Sequence, residues 1–199
     1  MREPSNIRDV AQLLPDLLGF IFYPESPRYV GEDFVMPVIS ESIKKVGVFV
    51  NAKIETVMDT VERFGLHVVQ LHGDESVDYV VRLHKSGTAV IKAFRVDENF
   101  DFENTVPYQP FVAFLLFDTK GRNYGGNNRV FDWQLLRSYN QRIPFLLSGG
   151  LNAENLRNLT ALDGMNCAGF DLNSGVETVP GQKNVDEIKD AISVLNYYS

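Results

Sequence analysis

The sequence predicts an α/β protein whose strands form a parallel sheet. Seven short apolar runs suited to buried strands recur along the chain, and stretches with helical spacing alternate with them. Size agrees with that class: 199 residues, 44% apolar and 23% charged, can bury one sizeable core and match neither a disordered nor a membrane composition. No linker, low-complexity tract or charge block divides the chain, so residues 1–199 read as a single domain.

The elements run in order along the chain. Residues 1–14, MREPSNIRDVAQLL, open on a helix, with Ser5 as a natural N-cap and Ile7, Val10, Ala11 and Leu14 at i, i+3, i+4 and i+7. The first strand run is LLGFIFY (17–23), and VGVFV (46–50) is the second. Ile54, Val57, Met58, Val61 and Phe64 then keep helical spacing until Gly65 stops them. VVQLH (68–72) precedes another stripe, Val77, Val80, Val81 and His84, which ends before Gly87. AVIKAF (89–94), FVAFLLFD (111–118), IPFLLS (143–148) and CAGFDL (167–172) complete the strands, and Val185, Ile188, Ile192 and Leu195 form a last helix. Seven strands with a helix before the first suit either an open doubly wound sheet or a (β/α)8 barrel without its first strand.

Composition narrows the function. With a formal net charge of −7 and no cluster of lysines or arginines, the chain carries no basic stripe for nucleic acid. No apolar run approaches the roughly eighteen residues of a membrane span, and no basic start leads into an apolar core, so neither membrane nor export is expected and the cytoplasm is. One cysteine, Cys167, forms no internal disulfide, and the sequon Asn158-Leu159-Thr160 is then idle. His67, His72 and His84 lack a closed ligand set, so neither metal nor cofactor is expected.

In a parallel sheet ligands meet the C-terminal ends of the strands, so the residues just after each run matter most. LSGGLNAEN (147–155) exposes backbone amides at Gly149 and Gly150, with Asn152 placed to cap the helix after it; this is a phosphate cradle or an ordinary turn. DLNSGVE (171–177) repeats the pattern with Ser174 and Gly175, and two such strand ends side by side favour the phosphate site. Asp118 closes an apolar run, as a general acid or as a turn cap with Thr119. The stretch KGRNYGGNNRVFDW (120–133) is long enough to close over a ligand, with Asp132 as a helix cap. Gln70 and His72 alternate and so share a face, as substrate contacts or as a buried structural pair. In YPESPRYV (23–30) two prolines stiffen a loop presenting Arg28, a fork for a carboxylate or one end of a surface salt bridge.

Taken in order, GFIFYPESPRYV, VGVFVN, VVQLHGDE, LLFDT, YGG with FDW, LLSGGLNAEN, and DLNSGVE with PGQK resemble phosphoribosylanthranilate isomerase, the tryptophan-pathway enzyme, over essentially all 199 residues. That resemblance implies a (β/α)8 barrel. It implies a rearrangement of N-(5-phosphoribosyl)anthranilate to 1-(2-carboxyphenylamino)-1-deoxyribulose 5-phosphate, in which a general acid protonates the ribose ring oxygen and a general base removes the neighbouring carbon's proton. Asp118 matches the acid, Arg28 the clamp for the anthranilate carboxylate, and Asp171 the ribose end. Gly149, Gly150, Ser174 and Gly175 match the phosphate site, and Gln70 and His72 are expected against substrate. Gly125 and Gly126 match the family's sixth loop; Asn127 and Asn128 depart from it.

In that family a first strand ending in a catalytic cysteine and a glycine precedes a stretch resembling MREPSNIRDV. The base is therefore expected outside these 199 residues, and the chain by itself is expected to be weak or inactive. Cys167 is no substitute, since four residues at ~3.3 Å each set it on the order of 13 Å from the ligand end. An unpaired strand edge would favour association with another chain, so a monomer or a homodimer is expected. Two alternatives remain: a non-catalytic barrel that binds a phosphorylated ligand, and another sugar-phosphate isomerase using Asp118 with His72.

Overall fold

The computed structural model describes residues 1–119 and 131–198. The first helix, α1 (Pro4–Ala11), starts two residues earlier than a Ser5 N-cap implies. Glu3 is its N-cap and Ser5 lies inside it, because Pro4 fits the first turn, where a missing N–H costs nothing. Ile7, Val10 and Ala11 are buried as expected, but Leu14 lies beyond the helix, at φ 52° and 67% exposed. Pro15 prevents the helix from continuing through it.

The strands are β1 (Leu17–Ile21), β2 (Lys44–Phe49), β3 (Val68–Leu71), β4 (Ala89–Val96), β5 (Phe114–Thr119), β6 (Phe145–Leu147) and β7 (Cys167–Phe170). Every adjacent pair is parallel, and their spatial order is their chain order. A doubly wound sheet reverses order at its switch point; this one never does, which is the winding of a barrel wall. The sheet also curls. Leu17 of β1 packs in one inner cluster with Val68, Ile91, Ala93, Phe114, Leu116 and Leu146, which come from β3 to β6. Among the described residues β1 and β7 are the two edges, and no pairing joins them.

Helices α2 (Ile54–Phe64) and α3 (Val77–Lys85) cover the outer face. Gly65 ends α2 at φ 58°, a left-handed position that suits glycine. On α3 the buried residues are Val80 and Leu83 rather than the stripe through His84, which is exposed. Three strands are followed by 3₁₀ turns in place of α-helices, at Phe102–Phe111, Trp133–Ser138 and Asn155–Leu162; in the first, Pro107 and Pro110 remove the donors an α-helix needs. A short turn, Ser174–Val176, leads into a hairpin of β8 (Glu177–Val179) and β9 (Gln182–Lys183), and α4 (Val185–Tyr197) closes the described chain.

Candidate active site

Alternation along the inner face carries Val68, Gln70 and His72 up β3, Ile91, Ala93 and Arg95 up β4, and Phe114, Leu116 and Asp118 up β5. His72 and Asp118 therefore reach the same mouth from strands separated by β4. Between them on β4, Ala93 follows the Leu71–Lys92 pair and so stands level with His72, while Arg95 stands opposite Asp118. His72 Nε2 lies 3.1 Å from Asp118 Oδ2, and Gln70 Nε2 lies 3.1 Å from His72 Nδ1. All three are buried: Gln70 is 7% exposed, His72 8% and Asp118 3%. The other Asp118 oxygen, Oδ1, accepts the Thr119 N–H at 2.9 Å.

Asp171 follows β7, where its N–H donates to the Leu147 carbonyl at 2.8 Å. Burial pushes its carboxyl up, and the Asp118 charge adds to that rise; Lys183, His72 and a hydrogen bond with Ser148 pull the other way. Four polar groups from four strand ends thus converge: His72, Asp118, Ser148 and Asp171.

The two glycine loops lie against each other. Gly149 and Gly150 have φ of 101° and 66°, and a Cβ on Gly149 would strike Thr119. One on Gly175 would strike the carbonyls of Leu151 and Gly150. Asn152, expected to cap a helix, instead closes the turn leading into the 3₁₀ segment Asn155–Leu162, its Oδ1 accepting the N–H groups of Glu154 and Asn155 at 3.0 Å each. Ser174 opens the short turn beside them.

Arg28 is neither free nor on the surface. Its Nε donates to Glu177 Oε2 at 2.8 Å and its terminal nitrogen lies 2.7 Å from the same oxygen, with the side chain 13% exposed. Lys183 Nζ lies 3.1 Å from Glu177 Oε1 and donates to the Asn173 carbonyl at 2.9 Å and side chain at 2.7 Å. Burial works to raise the Glu177 carboxyl, yet its bonds to Arg28 and Lys183 hold it below the ordinary glutamate range. Burial lowers Lys183 against the pull of Glu177.

Glu177 and Lys183 are absent from the sequence-based site, although each falls in a quoted motif; their partner Arg28 is 149 residues from Glu177. A second buried pair is legible in the sequence only as a lysine inside the apolar run AVIKAF. Lys92 Nζ lies 3.1 Å from Glu75 Oε2 and also donates to the carbonyls of Leu71, Gly73 and Ala93. Cys167 is half-buried at the start of β7, and burial pushes its thiol up to about 11, which disqualifies it as a base near neutral pH. Of the stretch expected to close over the ligand, residues 120–130, with Gly125, Gly126, Asn127 and Asn128, lie outside the described residues, while Asp132 caps the turn Trp133–Ser138 by accepting the Gln134 N–H at 3.0 Å.

The chain matches the sequence model of N-(5'-phosphoribosyl)anthranilate isomerase over residues 1–194. A Parabacteroides distasonis isomerase of that name is 44% identical over 199 residues, 98% of this chain and 90% of its own length. One from Phocaeicola vulgatus is 40% identical over 195 residues, covering 98% and 94%. The Thermotoga maritima crystal structure superposes with a TM-score of 0.85 at 34% identity, over 99% of this chain and 96% of its own. A further crystal structure, of the isomerase in complex with reduced 1-(o-carboxyphenylamino)-1-deoxyribulose 5-phosphate, gives 0.82 at 32% identity, over 99% and 95%. Strand order, converging strand ends and these matches agree, and the chain belongs to the N-(5'-phosphoribosyl)anthranilate isomerase family of tryptophan biosynthesis.

Proposed function

We propose that the chain carries the isomerisation of N-(5-phosphoribosyl)anthranilate to 1-(2-carboxyphenylamino)-1-deoxyribulose 5-phosphate, with Asp118 as the general acid. The observation that carries this assignment is the buried Gln70–His72–Asp118 chain at the ends of β3 and β5. Asp118 gives its proton to the ribose ring oxygen, the C1–O bond breaks, and the anthranilate nitrogen's lone pair forms the C=N bond. Removal of the C2 proton then yields the enolamine, which tautomerises to the ketone. Gln70, His72 and Asp171 meet the ribose end. The phosphate takes the N–H groups of Gly149, Gly150, Ser174 and Gly175, which need no net positive charge around them. Arg28 takes the anthranilate carboxylate: two of its nitrogens face Glu177, which leaves guanidinium N–H groups for a ligand.

The reaction also needs a base for the C2 proton, and a cysteine and His72 are the two candidates that the next experiment separates. The test is the loss of phosphoribosylanthranilate fluorescence with the 199-residue chain, beside a version extended by an apolar strand ending in Lys-Val-Cys-Gly. Turnover by the extended chain alone supports Asp118 working with a cysteine. Equal turnover by the short chain makes the cysteine dispensable; His72→Ala then decides whether His72 is the second group. The remaining reading is a cytoplasmic protein without a nucleic-acid partner, a monomer or a homodimer. One solved relative is described as monomers generated from the dimeric Thermotoga maritima enzyme. Among the described residues no helix is long and apolar enough to cross a membrane.

A further inference from the structure

A histidine whose two ring nitrogens both have partners has its tautomer chosen by them. While Asp118 is ionised it only accepts, so the hydrogen belongs on His72 Nε2, 3.1 Å from Oδ2. Nδ1 is then an acceptor, and the group facing it at 3.1 Å is the Gln70 amide nitrogen, a donor. When Asp118 carries the proton it must deliver, its hydroxyl needs an acceptor, which the same Nε2–H is not. His72 must then hold its hydrogen on Nδ1, and Gln70 must present its carbonyl. An amide meets both demands by a half-turn about its last torsion, which has two nearly equivalent wells. No other residue type of that length offers a donor and an acceptor from one position without a charge.

We infer that Gln70 is a positioning residue for the acid, whose amide reverses with each change of tautomer at His72 so that Asp118 is held in either protonation state. This rests on the assignment of Asp118 as the acid. The proton leaves Asp118 for the ring oxygen and nothing is transferred through Gln70; at His72, Nε2 takes one proton from solvent water at the mouth while Nδ1 gives one up to it, so the ring's proton count is unchanged. The charged groups near His72 are Asp118 from β5, 3.1 Å from Nε2, and Asp171 beyond β7, on which Lys183 also acts; Arg95 of β4, level with Asp118, is paired with Asp74 at 3.2 Å.

The experiment is ¹⁵N NMR of the His72 ring together with ¹³C NMR of the Asp118 carboxyl across pH, in the parent and in Gln70→Met. Met keeps the volume but can neither donate nor accept. In the parent, the hydrogen should sit on Nε2 when Asp118 is ionised and on Nδ1 when it is protonated, one change tracking the other. In Q70M the Nδ1–H form has no buried acceptor, so His72 should stay Nε2–H and Asp118 should take its proton only at a lower pH than in the parent. The kcat of the active chain should fall about ten- to a hundredfold, with its pH profile moved the same way as the Asp118 titration. A parent His72 whose tautomer ignores the Asp118 titration overturns the inference, even if Q70M does not fold. So does a folded Q70M whose Asp118 titrates as in the parent. Because both NMR readings are independent of turnover, a coupled titration together with no isomerase activity in the extended chain would count against the functional assignment and leave the coupling standing.

Discussion

The wall of the barrel at β3 to β5 and the seam where β7 faces β1 hold charge in different ways. In the wall, β3 and β5 are buried at all but their first residue, and each ionised group has a full set of short-range partners: Lys92 has four, and Glu75 accepts from Asn51 and Gly73 as well as from Lys92. At the seam Gly19 of β1 and Ala168 of β7 are exposed, and β7 carries a register shift against β6. Here, among the described residues, the free side of β1 gains a single bridge, the Val30 N–H to the Ile21 carbonyl at 3.0 Å, and Arg28 beside it reaches Glu177 beyond β7. Lys92 in the wall donates three of its four bonds to backbone carbonyls, whereas Arg28 at the seam is bound through Glu177, which pairs with Lys183 and accepts the Gly181 N–H at 3.1 Å. Proton transfer belongs in the wall, where the groups cannot drift, while a carboxylate clamp can tolerate the seam.

Two substitutions in the wall should have the largest effects. Asp118→Asn preserves size and keeps a partner for His72 but has no proton to deliver, so turnover should drop about 10²- to 10⁴-fold with the fold intact by circular dichroism. Retained turnover would move the chemistry away from the wall. Lys92→Met should cost about 3 to 5 kcal/mol in urea unfolding, because it leaves Glu75 buried without its cation; adding Glu75→Met should return part of that. A loss below about 1 kcal/mol would show that Glu75 is as well served by the backbone donors of Asn51 and Gly73, erasing the contrast with the seam.

The same contrast separates what is legible in the sequence from what is not. Gln70, His72 and Asp118 stand at the ends of apolar runs, and parallel strands with side chains alternating every residue bring such positions together without further information. The glycine loops and the Asn152 turn are equally local, as is the stop at Gly65. The partner of Arg28 is not legible, since nothing in YPESPRYV points to a glutamate 149 residues away. The buried face of α3 differs from the expected stripe because Val81 and His84 fit the period as well as Leu83 does; only packing against the sheet selects Val80 and Leu83. Leu14 fits the period of α1 but lies past its end.

Cys167 tests whether the seam is closed in solution. Burial pushes its thiol from 9.0 to about 11, so near pH 8 its thiolate fraction, and with it alkylation by iodoacetamide, should be about a hundredfold below that of an exposed cysteine. Because the folded value is the raised one, this contribution to stability is complete below pH 9 and lost as pH climbs through about 11. Native protein that alkylates like free cysteine would mean that β7 leaves the wall.

The smallest effect belongs to the seam's own ion pair. The Glu177 carboxyl is held below 4.5 by Arg28 and Lys183, against its burial, so its contribution to stability is present above about pH 4.5 and lost as pH falls through the lower folded value. Acidification should therefore release the Val30 amide, which is bonded to Ile21 at the seam, before it releases amides between β4 and β5. Glu177→Gln removes the charge that Arg28 and Lys183 share, and should speed Val30 exchange about tenfold at neutral pH, on the order of 1.4 kcal/mol, while abolishing the acid dependence. If Val30 in the parent instead stays as protected at pH 4 as the wall amides, the seam is held by the packing of Phe20, Phe34 and Val176 beneath it and not by its charges. Arg28 would then be fixed independently of Glu177, and the carboxylate clamp would survive the loss of the glutamate.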